Sequence, residues 1–155
     1  MTASSYCDCN LVVAREFGAT HTINARDEDV EGRVKDLTNG RKADWVFVTA
    51  GVKGAAEQGI SLMKRNGGTV LVGMPPSGVA ATIDPGWLAA DGQKILGSKM
   101  GSARPLIDVP KIVALYREGR LKLDELITER YPLERINDAI ASSRSGGALR
   151  NVIVF

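Results

Sequence analysis

The stretch GTVLVGMPPSG, residues 68–78, joins a short apolar run to a turn that contains two prolines. The apolar run extends from Thr69 to Val72 and ends at Gly73. An apolar run without alternation is typical of a strand that is buried on both faces of a parallel sheet. The prolines restrict the backbone that follows, so we expect a stiff turn. Glycine at the strand end lets a ligand approach the backbone, and the stretch therefore predicts one wall of a ligand-binding crevice.

Two other segments end in the same way, FVTAG at residues 47–51 and LGSKMG at residues 96–101. Helical patterns separate the three apolar runs, and this alternation predicts βαβ units with a parallel sheet. Parallel sheets bind ligands at the carboxyl ends of their strands. Three glycine-containing ends at one edge therefore favour a ligand site. The alternative is that each glycine only terminates its strand.

Three helices are predicted in the middle of the chain, over residues 27–40, 53–68 and 108–119. Each carries apolar residues at helical spacing and ends at glycine, and the third has Asp108 as its N-cap and Pro110 in its first turn. The positions predicted to be buried are Val30, Val34 and Leu37 in the first helix, Ala56, Ile60 and Met63 in the second, and Val109, Ile112, Val113 and Tyr116 in the third.

Further elements are predicted at both ends of the chain. Residues 11–17 form the end of a helix that Gly18 closes, and THTIN, residues 20–24, is a short strand. Towards the C-terminus, residues 125–133 contain a strand, residues 133–147 a helix, and residues 149–155 a last strand. This helix is expected to turn Ile136, Ala139 and Ile140 inward and to end at Gly146 and Gly147.

Composition excludes several classes of function. The 155 residues include 20 Lys and Arg against 18 Asp and Glu, and the two signs are interspersed. This balance lacks the basic footprint of a protein that binds nucleic acid or an anionic membrane. No apolar stretch approaches the roughly 20 residues that cross a bilayer. The first ten residues lack the basic and apolar regions of a secretory signal, so the predicted compartment is the cytoplasm.

Few residues could carry metal or acid–base chemistry. Cys7 and Cys9 are the only cysteines. Two positions apart, they are judged poorly placed for a structural disulfide, and no second pair completes a zinc site. His21 is the only histidine and is predicted to be a structural strand residue. We therefore assign no catalytic residue and no metal ligand.

Taken together, the segments quoted above and those at residues 14–25, 43–51, 91–102, 108–128 and 131–155 resemble the zinc-type medium-chain alcohol dehydrogenase family. The resemblance covers about nine-tenths of the chain, in order. It implies an α/β fold, an incomplete doubly wound parallel sheet of Rossmann type with a C-terminal strand–helix–strand extension. The implied divisions are a divergent segment at residues 1–10, a partial NAD-binding domain at 11–120, and a return into the catalytic domain at 121–155.

The resemblance also implies a cofactor site that is made largely of backbone groups. The segments at residues 49–51, 72–74 and 98–100 match those that line the ribose and hydrogen-bond the nicotinamide carboxamide, and Arg150 matches an arginine on the pyrophosphate. From the residue alone, the favoured interpretation of Arg150 is a solvated charge just before an edge strand. The residues implied to hold the cofactor are Thr49, Ala50, Gly51, Val72, Gly73, Met74, Ser98, Lys99, Met100 and Arg150.

Departures from the family pattern limit the expected activity. The GxGxxG turn that holds the pyrophosphate is missing, and the ribose-binding acid falls near Ser5, with Asp8 about three residues out of register. The family's zinc ligands are missing as well. We expect NAD binding to be weak or lost and zinc to belong to the parent family only. Three hypotheses remain open: a fragment of a dehydrogenase, a non-catalytic interaction module, or a half-enzyme completed by a partner chain.

The resemblance finally predicts how the chain associates. The segment Ile95, Leu96, Gly97, Ser98, Lys99 and Met100 matches the place where two family subunits join their sheets, so we expect a homodimer there. Two family strands between residues 21–24 and 44–48 are expected to be missing, which leaves a gap or makes THTIN pair elsewhere. The segments LITER, residues 126–130, and NVIVF, residues 151–155, are expected to be unpaired, because the family pairs them with the catalytic domain.

Overall fold

A computed structural model describes residues 1–146 and 148–155. The strands are β1 Thr2–Ser5, β2 His21–Asn24, β3 Ala43–Val48, β4 Met63–Leu71, β5 Lys94–Gly97, β6 Ile127–Pro132 and β7 Arg150–Val154. The helices are α1 Asp8–Glu16, α2 Val30–Leu37, α3 Lys53–Ser61, α4 Pro85–Ala90, α5 Pro105–Arg117 and α6 Ile136–Arg144. The chain divides into two compact units, residues 1–26 with 104–155, and residues 27–103.

The unit of residues 27–103 is built on a three-stranded parallel sheet in the order β3–β4–β5. Helix α3 covers one face, where Val46 and Val48 lie beside Gly59. A Cβ at Gly59 would collide with Val48, so the missing side chain lets helix and strand approach closely. Thr69 is completely buried on this face, and its hydroxyl donates to the Gly59 carbonyl at 2.8 Å. The α/β fold with parallel strands confirms the sequence prediction.

Residues 1–10, predicted to be a divergent segment, contain β1 and the first residues of α1. β1 runs parallel to β2 over its whole length, with Thr2 opposite His21 and Ser5 opposite Asn24. The strand in THTIN therefore does pair elsewhere, with β1. Leu11 and Ile23 are buried and form the small core of this β1–α1–β2 segment.

The expectation that LITER and NVIVF lack partners is wrong. They form β6 and β7, which pair with each other in parallel, with Tyr131 opposite Ile153. The physical reason is α6, which supplies the crossover that joins two parallel strands. The Asn151 side chain donates to the Ala139 carbonyl at 3.0 Å and so ties this helix to β7.

Several helix predictions need correction. The second predicted helix, α3, ends at Ser61, so Met63 lies in β4, where it is buried. The third, α5, begins at Pro105 rather than after Asp108. Asp108 lies inside its first turn, and its carboxylate accepts a hydrogen bond from the Arg104 amide at 2.7 Å, which satisfies a free donor of the helix end.

The predicted inner faces of the last two helices are only partly buried. In α5 the expected core residues are all exposed, at 53% for Val109, 45% for Ile112, 40% for Val113 and 38% for Tyr116. In α6 Ala139 is buried as predicted, but Ile136 and Ile140 are exposed. Spacing marks an apolar face, whereas burial needs a second element that packs on it.

The helix ends agree better with the sequence. Gly18, Gly40 and Gly119 follow their helices with positive φ, as the C-cap pattern predicted. Gly146 also has positive φ after α6, while Gly147 lies outside the described residues. Within the described part of the chain, no helix has the length and apolar content to cross a membrane.

Candidate functional site

Nine of the ten predicted cofactor residues meet at one edge of the β3–β4–β5 sheet. The Val48 carbonyl accepts hydrogen bonds from the amides of Val72 and Gly73, both at 2.9 Å. The Leu71 carbonyl accepts a hydrogen bond from the Ser98 amide at 3.0 Å. These bonds continue the ladders beyond the strands and hold the turns at residues 49–51, 72–74 and 98–100 in register. We call this set of three turns the carboxyl edge.

The glycines of the carboxyl edge allow two turns to pack on each other. A Cβ at Gly51 would lie 2.5 Å from the Met74 carbonyl oxygen. A Cβ at Gly73 would lie 2.5 Å from the Thr49 carbonyl oxygen and would also collide with Ala50. The sequence assigned these glycines to contact with a ligand. The structure shows a packing role for both glycines, because they permit backbone-to-backbone contact between neighbouring turns.

The third turn is open to solvent. Gly97 has no atom within 4 Å of the place where a Cβ would stand. Met100 is 84% exposed and has a positive φ of 50°, and Gly101 and Ser102 also have positive φ. Met74 is 72% exposed on the adjacent turn. The carboxyl edge therefore offers backbone groups, two exposed methionines and one charged residue, Lys99.

The tenth predicted residue, Arg150, belongs to the other compact unit, where it is the exposed first residue of β7. The same unit contains the position of the expected ribose acid. The Ser5 hydroxyl there accepts a hydrogen bond from the Cys7 amide at 3.2 Å. The Asp8 carboxylate accepts one from the Asn24 side chain at 2.8 Å, so this acid is engaged at the start of α1.

The cysteine prediction is corrected by the structure. Cys7 and Cys9 form a disulfide, with their Cα atoms 5.3 Å apart. Cys7 has an extended backbone as the N-cap of α1, and the chain turns into the helix at Asp8, which brings the two side chains together. Sequence spacing did not reveal this bond. The available signal was the position of the pair immediately after a strand and at a helix start.

The described residues do not offer a zinc site. Among them, no group of three histidine, cysteine or carboxylate side chains could hold a metal ion. The His21 ring lies on β2 with its Nδ1 atom 3.0 Å from the Thr20 hydroxyl. Because protein zinc sites use about three or four such ligands, these residues do not fit the metal of the parent family.

A cavity of about 610 Å³ lies at the opposite edge of the same sheet. Its lining includes Lys42, before β3, and Lys64 and Arg65, at the start of β4. The cations have anionic partners: Lys42 contacts Glu31 at 3.0 Å, Arg65 contacts Asp91 at 3.1 Å, and Lys64 pairs with Asp44. We call this region the amino edge. These three cations of the amino edge are therefore held in ion pairs.

Two carboxylates at the amino edge have lowered pKa values. The Lys64 ammonium holds the pKa of Asp44 below its usual value. The pKa of Glu57 is lowered mainly by the Thr82 amide, which donates to its carboxylate at 2.8 Å. Both shifts favour the ionised form, so these carboxylates act as fixed acceptors. Sequence reasoning missed this cavity, because its charged residues are scattered over separate segments.

Comparison with known proteins agrees with the fold. The zinc-binding dehydrogenase family profile matches residues 4–117. The NDMA-dependent alcohol dehydrogenase of Amycolatopsis methanolica is 33% identical over 144 residues, which are 91% of this chain and 38% of that protein.

Two solved structures are also similar. The alcohol dehydrogenase zinc-binding domain protein of Burkholderia ambifaria is 34% identical with a TM-score of 0.92, over 98% of this chain and 40% of that one. Benzyl alcohol dehydrogenase from Acinetobacter calcoaceticus is 30% identical with a TM-score of 0.93, over 98% of this chain and 41% of that one. The chain thus spans about two fifths of the proteins it matches. By sequence and by fold, it belongs to the zinc-binding dehydrogenase family.

Proposed function

We propose that this chain is the cofactor-holding part of an NAD-dependent, zinc-type alcohol dehydrogenase. The parent reaction oxidises an alcohol to an aldehyde or ketone, and the bound cofactor accepts the hydride. The observation that supports the proposal is the carboxyl edge, where three strand ends meet in register and present backbone groups. Ligands of open α/β sheets bind at this edge.

The proposed roles are those that the resemblance implies for the three turns and for Arg150. Backbone groups of residues 72–74 and 98–100 hold the nicotinamide carboxamide, and residues 49–51 lie against the ribose. Arg150 is proposed to contact the pyrophosphate. These residues position the cofactor and exclude water from it, while the reacting atoms belong to the cofactor and the substrate.

We propose that the 155 residues alone do not oxidise alcohols. Metal-assisted hydride transfer of this kind needs about three protein ligands and one open position, and the described residues offer no such set. The test is purified chain with zinc, NAD and a panel of primary alcohols, with no turnover expected. Sustained turnover that survives removal of host dehydrogenases would contradict the proposal.

Binding of cofactor fragments gives a sharper test. The resemblance assigns the turns of the carboxyl edge to the nicotinamide side, while the chain lacks the GxGxxG turn and an acid at Ser5. Losing several charge-assisted hydrogen bonds, at roughly 1.5–3 kcal/mol each, leaves an NADH dissociation constant in the high micromolar to millimolar range. In calorimetric titrations we expect reduced nicotinamide mononucleotide to bind about as well as NADH, and ADP-ribose not to bind. Low-micromolar NADH binding, or preference for ADP-ribose, would contradict this assignment.

We propose a homodimer through residues 95–100, in which the β5 strands of two copies lie side by side. In the described residues, β5 pairs only with β4, so its other side presents free backbone groups. A two-fold contact pairs the free backbone groups of β5 in both copies at once. Sedimentation at micromolar concentration tests the dimer, and Gly97→Pro should reduce it, because proline cannot donate to the ladder. A monomer in the unmutated chain would contradict it.

A second candidate is a non-catalytic interaction module, or a half-enzyme that a partner chain completes with the zinc ligands. The observation in its favour is the exposure of Trp45 and Phe47, which are 51% and 67% exposed on the same face of β3. A chain with no response to any nicotinamide compound, but with its fold intact, would favour this candidate. The proposed compartment is the cytoplasm, which cell fractionation can test.

A further inference from the structure

We propose that Cys7 and Cys9 form a redox-active pair whose disulfide is opened by a small monothiol of the glutathione type. The pair lies at the start of α1, just after the carboxyl end of the parallel strand β1. The pair belongs to the unit of residues 1–26 and 104–155, whereas the carboxyl edge belongs to the other unit. The proposal therefore does not depend on the proposed dehydrogenase function.

The disulfide contributes little to the stability of the fold as a structural crosslink. It closes a loop with one intervening residue, Asp8, and the stabilisation from loop closure falls as the loop becomes shorter. It also joins no separate elements, because both cysteines belong to the start of α1. The β1–β2 pairing and the buried Leu11 and Ile23 hold this segment without it. Opening the bond should therefore leave the fold intact.

The two sulfur atoms differ in their surroundings. Cys9 is exposed, so its Sγ is open to attack, whereas Cys7 is half-buried. Cys7 is the N-cap of α1, and its side chain makes no capping hydrogen bond in the disulfide form. An N-cap side chain normally accepts a hydrogen bond from the second or third residue of the helix. A Cys7 thiolate released by exchange can accept that bond and is also stabilised by the positive end of the helix dipole.

The exchange is balanced as follows. A monothiolate attacks Cys9 Sγ, a mixed disulfide forms on Cys9, and Cys7 leaves as the thiolate. A second monothiol attacks the mixed disulfide and releases the oxidised monothiol, while Cys9 leaves as the thiolate and takes up a proton. In sum, one protein disulfide and two monothiols give one protein dithiol and one small disulfide. A low-pKa leaving thiol and an exposed bond both favour the first step.

The first experiment equilibrates the 155-residue chain with mixtures of reduced and oxidised glutathione. Thiols are then trapped by alkylation and counted by mass spectrometry. We expect the pair to be reduced when reduced glutathione is in excess, and the unfolding midpoint of the reduced chain to lie within about 5 °C of the oxidised one. A disulfide that persists in reduced glutathione alone, or reduction that unfolds the chain, would overturn the proposal.

The second experiment uses matched variants that each keep one thiol. Cys9→Ser leaves only the Cys7 thiol, and Cys7→Ser leaves only the Cys9 thiol, with serine suited to the N-cap. At neutral pH the Cys7 thiol should be alkylated about threefold faster, because the helix N-terminus favours its thiolate, while a more stable thiolate is a weaker nucleophile. Peptide mapping of trapped mixed disulfide in the unmutated chain should find glutathione on Cys9. Equal alkylation rates, or glutathione mainly on Cys7, would overturn the assignment of the leaving thiol.

Discussion

The carboxyl edge of the β3–β4–β5 sheet is held together by backbone contacts, and the amino edge is held together by side-chain contacts. At the carboxyl edge, neighbouring turns touch through their backbones, because Gly51 and Gly73 have no side chains. At the amino edge, charged side chains form ion pairs around the cavity of about 610 Å³. Backbone contact has almost no freedom to adjust, whereas long side chains do. Substitutions at the carboxyl edge should therefore have large effects, and substitutions at the amino edge small ones.

The largest effect is expected for Gly73→Ala. Its new Cβ would lie 2.5 Å from the Thr49 carbonyl oxygen, a backbone atom that can move only with its turn. We expect the free energy of unfolding to fall by about 3 kcal/mol, at the upper end of typical overpacking costs. Urea denaturation gives this value directly.

Gly97→Ala is the matched control for that substitution. Gly97 also ends a strand of the same edge, but no atom lies within 4 Å of its Cβ position. The free energy of unfolding of this variant should change by less than about 0.5 kcal/mol, because the new methyl group meets no atom of its own chain. Equal losses in the two variants would show that close backbone packing does not distinguish residue 73.

A second pair of glycines, Gly51 and Gly54, tests the same packing argument. Gly51→Ala places a Cβ 2.5 Å from the Met74 carbonyl oxygen and should cost about 2 kcal/mol. Gly54→Ala, three residues later in α3, meets no atom within 4 Å and should stabilise the chain by up to about 1 kcal/mol, because alanine favours a helix. Thermal unfolding of both variants should therefore shift in opposite directions, and shifts of the same sign would contradict the packing argument.

The same contrast explains what the sequence could predict. The register of the strand ends was predicted, because glycine after an apolar run is a local signal and parallel strands align these ends. The ends of α1, α2 and α5 at positive-φ glycines were predicted for the same local reason. The assignment of these turns to a cofactor came from the resemblance, and it stays a prediction.

The remaining features depend on contacts between distant residues. The spacing of Val109, Ile112 and Val113 marked one face of α5, but no local pattern states whether another element covers that face. The pairing of β6 with β7 was missed, because the resemblance assigned both strands to partners outside the chain. The Cys7–Cys9 disulfide depends on the extended backbone at Cys7, which a count of residues between cysteines does not reveal.

A smaller effect is expected for Thr69→Val, in the middle strand of the sheet. The substitution keeps the shape of a fully buried side chain but removes the hydroxyl that donates to the Gly59 carbonyl at 2.8 Å. Leaving that buried acceptor without its donor should cost about 1.5 kcal/mol by urea denaturation. The control is Thr22→Val on β2, whose hydroxyl accepts an exposed hydrogen bond from Arg15 and whose loss should cost less than about 0.5 kcal/mol. A Thr69 variant as stable as the unmutated chain would show that this hydrogen bond does not anchor α3.

The smallest effect is expected at the amino edge, for Glu31→Gln, and it should depend on pH. Hydrogen bonds from Lys35 and then Lys42, each at 3.0 Å from the carboxylate, lower the pKa of Glu31 below its usual value of 4.5. A group with a lowered pKa in the folded state stabilises the fold fully above its unfolded pKa, and this contribution disappears as the pH falls through the folded value.

At pH 7 the variant should therefore lose less than about 1 kcal/mol, because the ion pairs are partly exposed and screened. The difference from the unmutated chain should stay constant down to about pH 5 and vanish at lower pH, as the unmutated carboxyl takes up its proton. A double-mutant cycle with Lys42→Gln separates the Glu31–Lys42 coupling from the other effects of each substitution. A loss of 2 kcal/mol or more, on the scale of about 2–3 kcal/mol expected for the glycine variants, would mean that the amino edge is as rigid as the carboxyl edge.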